Sequence, residues 1–543
     1  MTPFRLTALA FAYAAALGAA PVISGIYNAA SWLPPSLPNS GVAQGAIFTL
    51  TGTGLGPGTL QQAESYPLPV TQGLGGTTVQ VNIPVPPGPG GANGGFTVDC
   101  IMVYASATQV AAILPSITPQ GAGTLTLFFQ GGSSSIEIDV VPANFGTLTL
   151  NEGGTGPAVV TDPSFKPITM INAAHPGDTL ILWGTGLGPV MGIETEPPTQ
   201  VDLGTGVQVL IGNQPAKVTY GGRGNSPGLD QINFVVPAGV SGCKTSIAVI
   251  VHGVTGNVTT TSIAPAGQTT CGDTFDALTT DNLQKAITTG TLNIATVALD
   301  RIAEGNDILT AQFQSYPLNS LIRSYGGDFG PSIGSCLAYE FLNTSLEFAD
   351  PIQAPHLDAG SRLAITGPGG SKDIDATSTG FFSSTLATQP SVYIEPGPFS
   401  VGNGTGGTSV GPFNWSLTLP GSVVPTNIPT SINRSQDLTL AWSGGAEFPV
   451  VSIIAFNGIK VTPTLSSFAY ILCTASGAAG TFTIPSAILS VLPANGFGTP
   501  TEPGVNLQIA GIASNRFSVA GSPGIDAGIF SVFTSNGKVA KIQ

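Results

Sequence analysis

The chain has 543 residues, a formal net charge of −14 and only 15 Lys and Arg residues, so it carries no cluster of cations that would displace phosphate counterions from a nucleic acid. Charged residues make up 8% of the sequence, while 73 Gly and 45 Pro favour short strands and turns over helices. The 42% of hydrophobic residues argues against disorder, and the length predicts roughly three or four domains. We therefore expect a folded, strand-rich protein that does not bind nucleic acid.

Residues 1–20 have the pattern of a secretory signal peptide. Arg5 precedes an apolar run at 6–17, and the small residues at 18–20 provide a cleavage site. After this segment no stretch reaches the ~18 apolar residues that a membrane-spanning helix needs, because Gly, Pro, Thr and Ser interrupt every run. The sequence predicts a secreted, extracellular protein with no membrane span in its mature part, associated with the cell surface without a recognisable covalent anchor.

An internal duplication organises the first half of the chain. The hexapeptide Gly-Thr-Gly-Leu-Gly-Pro occurs at 52–57 and again at 184–189, each time after a β-type run. The repeats, 21–143 and 157–265, contain short β-type runs separated by turn residues, and roughly seven such strands are typical of an immunoglobulin-like sandwich. Residues 144–156 between the repeats are predicted to be a linker.

The glycines of the two hexapeptides are predicted to form equivalent structural turns. A dinucleotide-binding loop is the alternative, but the third Gly comes one residue early, a Pro follows it and no helical period succeeds either copy. We therefore expect no bound cofactor. Gly54 and Gly186 are the two glycines expected at positive φ, where a Cβ is costly. The six turn glycines are Gly52, Gly54, Gly56, Gly184, Gly186 and Gly188.

Several phrases in the duplicated region carry a resemblance to a known family. They are Tyr27-Asn28-Ala29-Ala30-Ser31, Pro67-Leu68-Pro69, Leu74-Gly75-Gly76, the two hexapeptides and Gly228-Leu229-Asp230-Gln231-Ile232-Asn233. In this combination and order, residues 21–265 resemble exported acidobacterial proteins whose paired domains are similar to IPT/TIG immunoglobulin-like modules. The resemblance implies an extracellular pair of β-sandwiches with no established reaction.

Residues 266–543 are predicted to form a larger, mostly-β region with one short helix. The helix is expected over 280–287, with its N-cap at Thr280 or Asp281. The later β-type runs are interrupted at 402–407 by a Gly-rich stretch, which we interpret as a flexible loop or a hinge between two halves. The expected fold is all-β, with tandem immunoglobulin-like (IPT/TIG-like) β-sandwiches followed by this region.

One motif in the C-terminal region is typical of hydrolases. Gly330-Pro331-Ser332-Ile333-Gly334 matches the Gly-x-Ser-x-Gly nucleophile elbow, and His356 is the only later histidine, with Asp350 or Asp358 as its partner. The elbow depends on a strand–turn–helix, and the alternating strand and helix pattern of a hydrolase is missing. We therefore predict no catalytic residue and expect Ser332 to lie in a turn.

The acidic residues offer two further candidate sites. Asp373 and Asp375 could seat calcium, but the full calcium loop is missing and a solvated turn is favoured. Glu340 and Glu347 could be paired carboxylates for glycoside hydrolysis, although charge on a solvated face is the usual explanation. The three histidines, His175, His252 and His356, lie far apart in the sequence and none pair up, so no zinc site is predicted.

The pairing of the five cysteines tests both the predicted extracellular compartment and the predicted domain boundaries. In an exported chain most cysteines should be paired, and an odd number leaves one over. Cys243 and Cys271 bracket the last strands of the second repeat, while Cys336 and Cys473 both lie in the C-terminal region. We predict these two disulfides and a free, buried Cys100, which lies in an apolar run. Five reduced core cysteines are the alternative.

The four tryptophans could stack on sugars if they are exposed. Trp183 and Trp442 end alternating runs and are expected in the core. Trp32, beside two prolines, and Trp415, beside Asn414, are expected to be more exposed. They are weak candidates for a glycan-binding surface.

The sequence predicts a fold and a compartment but identifies no ligand. The leading hypothesis is a secreted, non-catalytic protein of the cell surface or extracellular matrix that binds or spaces something, with an extracellular polysaccharide or a surface protein as its partner. One alternative is an exported hydrolase whose catalytic part is 271–543. The other is a structural subunit of a surface layer or filament, which a strand-rich chain with exposed sheet edges could form.

Overall fold

The computed structural model describes residues 20–85, 94–198, 201–204, 206–273, 275–301, 305–324, 330–342, 354–499, 502–521 and 523–543. The predicted signal peptide, apart from its last residue, lies outside these described residues, as do Glu347 and Asp350. Strands dominate the described chain, with short helices only in its second half. The predicted all-β class with tandem immunoglobulin-like domains is confirmed.

The first sandwich consists of two facing sheets. Its strands are β1 (Val22–Asn28), β2 (Val42–Ala43), β3 (Ile47–Thr53), β4 (Gln61–Gln62), β5 (Thr77–Val85), β6 (Gly94–Asp99), β7 (Ile101–Ala105), β8 (Gln109–Ile113), β9 (Gly121–Phe129) and β10 (Gly132–Val141). One sheet has the order β1-β3-β8-β7-β4 and the other β2-β10-β9-β5-β6. Period-two alternation turns Val79 and Val81 of β5 inward, where they meet Phe48 and Leu50 of β3 in one core.

The second sandwich repeats this arrangement. Its strands are β11 (Gly146–Thr147), β12 (Val160–Thr161), β13 (Thr179–Thr185), β14 (Val207–Ile211), β15 (Gln214–Arg223), β16 (Asp230–Val235), β17 (Gly242–Val251), β18 (Val254–Thr255) and β19 (Thr259–Ile263). They are ordered β11-β13-β16-β15-β14-β17-β18, with β12 beside β13 and β19 beside β17. Strand β15 is long enough to pair with both β14 and β16, which joins the two layers.

Strand register supports the duplication residue by residue. In the first sandwich Thr51 of β3 pairs with Gln109 of β8, and in the second Trp183 of β13 pairs with Gln231 of β16. Thr51 and Trp183 each directly precede a copy of the hexapeptide, and Gln109 and Gln231 occupy matching positions in the two repeats. A β-bulge interrupts both β7 and β15 just before the matched tyrosines. Both hexapeptides therefore begin at the same point of the topology, at the ends of β3 and β13.

Three of the six turn glycines have positive φ. Gly54 has φ 65° and Gly186 has φ 109°, as the sequence analysis expected, and Gly188 has φ 126°. Gly52 and Gly184 belong instead to the ends of their strands. A Cβ on Gly184 would meet the carbonyl oxygen of Gly146, so this glycine is required by close backbone approach and not by its φ angle.

The segment 144–156 is not a linker, and this prediction was wrong. It contains β11, which pairs with β13, and the amide of Leu148 donates to the carbonyl oxygen of Trp183 at 3.0 Å. Phe145 is buried in the core of the second sandwich. The Gly-rich composition of 151–156 indicates a turn correctly, but it conceals the backbone pairing that precedes it.

The C-terminal region is built around one large sheet. Its elements are α1 (Thr280–Thr289), β20 (Thr291–Arg301), β21 (Asp307–Pro317), α2 (Leu318–Ser324), β22 (Cys336–Leu342), β23 (Arg362–Gly367), β24 (Gly370–Asp375), β25 (Phe381–Ala387), β26 (Gly397–Gly402), β27 (Asn414–Leu419), β28 (Val424–Pro425), β29 (Ser431–Ile432), β30 (Leu438–Ser443), β31 (Val450–Lys460), β32 (Ser466–Ser476), β33 (Thr481–Ile484), α3 (Ser486–Leu489), β34 (Phe497–Thr499), β35 (Glu502–Pro503), β36 (Val505–Val519) and β37 (Ile525–Ile542). The large sheet follows the path β22-β32-β31-β36-β37-β20-β21-β25. Smaller sheets, β24-β23-β26-β27 and β28-β30-β33, pack into the same core.

Helix α1 lies where the sequence predicts it, but its N-cap differs. Its N-cap is Thr279, whose side chain accepts a hydrogen bond from the amide of Asn282, and neither Thr280 nor Asp281 is the cap. Gly290 ends the helix with φ 79°. The described region also contains α2 and α3, so the expectation of a single short helix was wrong.

The Gly-rich stretch 402–407 does not divide the C-terminal region into two halves. It lies in the connection between β26 and β27, which are adjacent antiparallel strands. The side chain of Asn403 donates to the carbonyl oxygens of Ala359 and Gly411, at 3.0 and 3.1 Å. The large sheet contains strands from before and after this stretch, so the hinge that we inferred from composition is a fixed loop.

Two disulfides have the pairing that the sequence analysis expected. Cys243, at the start of β17, is bonded to Cys271 in the segment that leads to α1. Cys336 and Cys473 lie opposite each other in β22 and β32 and are bonded across the large sheet. Cys100 is free and buried, and burial raises the pKa of its thiol. Loops of this length make each bond worth roughly 3–5 kcal/mol in the chain-entropy model.

We expect Gly186→Ala to lower the free energy of unfolding by about 1–3 kcal/mol, because the left-handed φ is costly for alanine and the new Cβ would meet the carbonyl oxygen of Asn144. Gly58→Ala is the control, since a Cβ there has no heavy atom within 4 Å. Urea denaturation followed by tryptophan fluorescence measures both variants. Equal stability of the two would contradict the close approach at Gly186.

Candidate binding groove

A groove of about 650 Å³, lined by both polar and apolar residues, lies where three parts of the chain meet. One wall comes from β14, β17 and β18 of the second sandwich, and another from the C-terminal region. The third is the 31–40 loop of the first sandwich, which reaches the C-terminal core through Leu37 and accepts a hydrogen bond from Ser467 at the carbonyl of Pro35, at 2.6 Å. The lining residues are Pro38, Asn39, Gln208, Ile250, Gly253, Val254, Thr255, Asn433, Arg434, Ser435, Ser486, Ala487, Ser490 and Gln543.

Arg434 is the basic residue of the groove and is held in position by the backbone. Its Nη1 donates to the carbonyl oxygens of Leu492 at 2.5 Å and Ser490 at 3.3 Å. Its Nε is buried and has no hydrogen-bond partner among the described residues. A buried donor without a partner is costly. The Arg434 side chain as a whole is half-buried, so a ligand in the groove would meet the exposed part of this residue and not its Nε.

The other polar side chains of the groove are amides and hydroxyls. Gln208 of β14 is exposed, and so are Asn433 and Ser435 beside Arg434. Thr255 Oγ1 donates to the carbonyl oxygen of Ala487 at 2.7 Å and so ties β18 to α3. No carboxylate, imidazole or thiol side chain is among the described lining residues. The groove is therefore equipped to hold hydroxyl or carboxylate groups and lacks side chains for acid–base catalysis.

A buried carboxyl group lies next to the groove residue Asn39. Burial raises the pKa of Glu340 in β22 to about 8, and the amide of Asn39 opposes this shift. The two groups are close without hydrogen-bond geometry, and both Glu340 oxygens lack a partner among the described residues. At neutral pH Glu340 is therefore mostly protonated. It is not a solvated surface carboxylate, and Glu347, its predicted partner, lies outside the described residues.

The candidate hydrolase residues do not assemble. Ser332 is buried in a turn followed by strand β22, whereas a nucleophile elbow needs a helix there. Its Oγ accepts a hydrogen bond from the amide of Lys244 at 3.0 Å. His356 is exposed and pairs by its backbone with Gln314 of β21. Asp358 accepts hydrogen bonds from Thr408, which hold the pKa of this carboxyl below its usual range.

The candidate calcium residues are already paired with a cation. Asp373 and Asp375 lie on the exposed face of β24, with Ile374 turned inward between them. Arg362 of the neighbouring strand forms ion pairs with both, at 3.4 and 2.8 Å. No group of three or more metal-ligating side chains occurs within the part of the chain that the structure describes.

The tryptophans differ partly from expectation. Trp415, expected to be exposed, is buried between Phe413 and Phe517, whose ring centroids lie 4.1 and 5.2 Å from its own. Trp442 is buried as expected. Trp32 and Trp183 are both half-buried, although Trp183 was expected in the core. An alternating β pattern therefore does not predict which tryptophan side chains are exposed to solvent.

The groove itself was missed from the sequence. Its lining comes from segments spread between residues 38 and 543, and each polar side chain is an ordinary residue in its own segment. One usable signal is the scarcity of cations, 15 in all. In such a chain a cation that is at least half-buried is unusual, and Arg223, Lys244 and Arg434 all belong to this class.

Comparisons with known proteins add little. No protein-family model and no curated protein matches this chain. Among solved structures, a tetra-tandem repeat from the extending region of a large adhesion protein is 12% identical over 96% of this chain and 100% of that one, with a TM-score of 0.13. SGBP-B from a xyloglucan utilization locus of Bacteroides uniformis is 12% identical over the same shares, with a TM-score of 0.17. Domains 5–6 of the S-layer protein SbsC are 14% identical over 45% of this chain and 99% of that one, with a TM-score of 0.15. Such low scores transfer no function.

Among the described residues, no helix is both long and apolar enough to cross a bilayer.

We expect Glu340→Gln to change how stability depends on pH. An unfolded chain releases the Glu340 proton near the ordinary pKa of 4.5, whereas the folded chain keeps it to about pH 8. Stability therefore falls as pH rises through this window, and Gln removes that loss. Urea denaturation at several pH values should give similar stability below pH 4.5 and a more stable variant above pH 8. Glu447→Gln, at an exposed position, is the control, and parallel pH profiles for Glu340→Gln and wild type would contradict the buried proton.

Proposed function

We propose that this chain is a secreted, non-catalytic protein of the cell surface or extracellular matrix that binds an extracellular polysaccharide in the groove around Arg434. The observation that carries the proposal is the half-buried guanidinium of Arg434, anchored by two backbone carbonyl oxygens and surrounded by exposed amide and hydroxyl side chains. Sugars present hydroxyl oxygens and, in acidic polymers, carboxylates, and both accept hydrogen bonds from such donors.

Two features support export and a surface role. Two disulfides stabilise the chain, as is common in proteins that mature outside the reducing cytosol. The resemblance of residues 21–265 to exported acidobacterial proteins with paired IPT/TIG-like domains belongs to the same proposal. The hydrolase alternative lacks a supporting arrangement of side chains, because Ser332 is buried against β17 and His356 is exposed beside β21.

A spacing function is compatible with binding. Asn28 of the first sandwich donates to the carbonyl oxygens of Asn144 and Thr185 at 3.0 and 3.2 Å, and Thr185 Oγ1 accepts from the amide of Ile47 at 2.8 Å. Such buried contacts restrict relative motion of the two sandwiches. A ligand held by the groove would therefore sit at a fixed distance from the far end of the first sandwich.

We expect Gln208→Ala and Arg434→Gln each to weaken polysaccharide binding by roughly 5–10-fold, because each removes a donor equivalent to about 1 kcal/mol. A glycan and cell-wall-polymer array on the purified chain identifies the ligand, and titration calorimetry gives the affinities. Gln208 is exposed, so its substitution should leave stability unchanged.

Arg516→Gln is the matched control, since Arg516 is exposed on β36 and does not line the groove. It should bind as wild type does. The proposal fails if no polymer binds, or if Gln208→Ala and Arg434→Gln both retain full affinity. Turnover in an esterase and glycosidase panel that Ser332→Ala abolishes would support the hydrolase alternative instead.

A further inference from the structure

A buried lysine–aspartate pair joins the second sandwich to the C-terminal region. Lys244 is in β17, and Asp276 lies in the segment that leads to α1. The Nζ of Lys244 contacts Oδ2 of Asp276, and the two side chains are 3% and 0% exposed. The disulfide between Cys243 and Cys271 holds the same two segments together. An amine and a carboxyl group are therefore kept in contact away from solvent.

A second carboxyl group belongs to the same cluster. Asp273 Oδ2 accepts a hydrogen bond from the amide of Cys243 at 3.2 Å, and the side chain also bonds to Ser332. Burial raises the pKa of Asp273 to about 6, while Lys244 lowers it and Asp276 raises it. Asp273 thus changes protonation within the physiological range, beside the lysine–aspartate pair.

Burial favours a neutral product over the ion pair. Two charges lose their hydration when they are buried, and their mutual attraction often fails to compensate for this loss. Condensation to an amide removes both charges and releases one water. Both groups belong to one chain and are already in contact. The reaction therefore avoids a large part of the entropy cost that a bimolecular step would have.

We propose that Lys244 and Asp276 are joined by an intramolecular amide bond that forms after folding. In this step a proton leaves the Lys244 ammonium, and the neutral Nζ attacks Cγ of Asp276. The Nζ–Cγ bond forms, one Cγ–O bond breaks, and the departing oxygen takes up two protons and leaves as water. We assign Asp273 the transfer of a proton from the amine toward the departing oxygen. No oxidant or reductant is needed, and the inference does not depend on the proposed function.

The other buried or paired cations provide contrasts. Arg223 is paired with Asp230, but a guanidinium is a poor nucleophile because it stays protonated. Lys285 contacts Asp526, yet its side chain is 52% exposed and remains hydrated. Among these three pairs, only Lys244 and Asp276 combine a lysine with burial of both partners. The amide is therefore assigned to this pair alone.

Tryptic mapping of the full-length, reduced and alkylated protein tests the bond. Trypsin cleaves after Arg223, Lys244 and Lys285 when their side chains are free. Without the amide, the region yields two peptides, 224–244 and 245–285. With the amide, Lys244 is blocked, and the region yields one peptide, 224–285, lighter than the uncleaved linear sequence by one water. A missed cleavage would leave the mass of the linear peptide unchanged and is thereby distinguished.

We expect the dehydrated 224–285 peptide from wild type and from the control Lys285→Arg, and two separate peptides from Lys244→Arg. Two separate peptides from wild type would overturn the proposal, and this result does not depend on whether any variant folds. Dehydrated 224–285 from Lys244→Arg would overturn the assignment of Lys244.

The proton transfer assigned to Asp273 can be tested separately. Asp273→Asn should prevent linkage while the Cys243–Cys271 disulfide and the far-ultraviolet circular dichroism remain as in wild type, and Asp273→Glu should restore some linkage. A purely structural role would instead disturb the fold together with the bond. If Asp273→Asn links as completely as wild type, the proton transfer assigned to Asp273 is wrong.

Discussion

The arrangement of the two sandwiches depends on a buried ion pair between Arg223 and Asp230. Both side chains are almost fully buried, and they lie at the junction of the sandwiches. Arg223 also donates to the carbonyl oxygens of Gly188 at 2.8 Å and Gly45 at 3.3 Å, so it reaches both sandwiches. Asp230 accepts from the amides at 186–187 at 2.7 and 2.8 Å. A buried charge with this many partners is stabilising only if all of them are present, which makes the junction specific in geometry.

This pair gives the second hexapeptide a role that the first does not have. In the first sandwich the turn is closed by backbone, because the amide of Leu55 donates to the carbonyl oxygen of Ala107 at 3.0 Å. In the second, the equivalent amide of Leu187 donates to the carboxylate of Asp230. Turns of identical sequence therefore satisfy their amides differently. The turn that binds a side chain is also the one that contacts the neighbouring domain.

The features that could be predicted from the sequence are those set by local pattern or by matched copies. The duplication, the positive φ of Gly54 and Gly186, helix α1 and the cysteine pairing belong to this class. The failures share a physical cause, since 144–156 and 402–407 have the composition of flexible loops but are fixed by backbone pairing and by the Asn403 amide. Trp415 lies in a β pattern whose partners, Phe413 and Phe517, come from different strands. The groove could not be predicted from the sequence for the same reason, because its hydrogen-bond donors are brought together only by tertiary contacts.

The two domain junctions use different cations, and the chemistry of each cation suits its junction. The first junction offers carbonyl oxygens of two domains and one carboxylate, which a planar guanidinium with five donors can bind together. The second brings the carboxyl groups of Asp273 and Asp276 together beside a disulfide, where the ammonium of Lys244 contacts Asp276. A lysine is a weaker organiser of such a site than an arginine, but its neutral amine is a nucleophile. Arginine therefore suits the junction held by hydrogen bonds, and lysine suits the junction where a disulfide already provides the alignment and a covalent amide can follow.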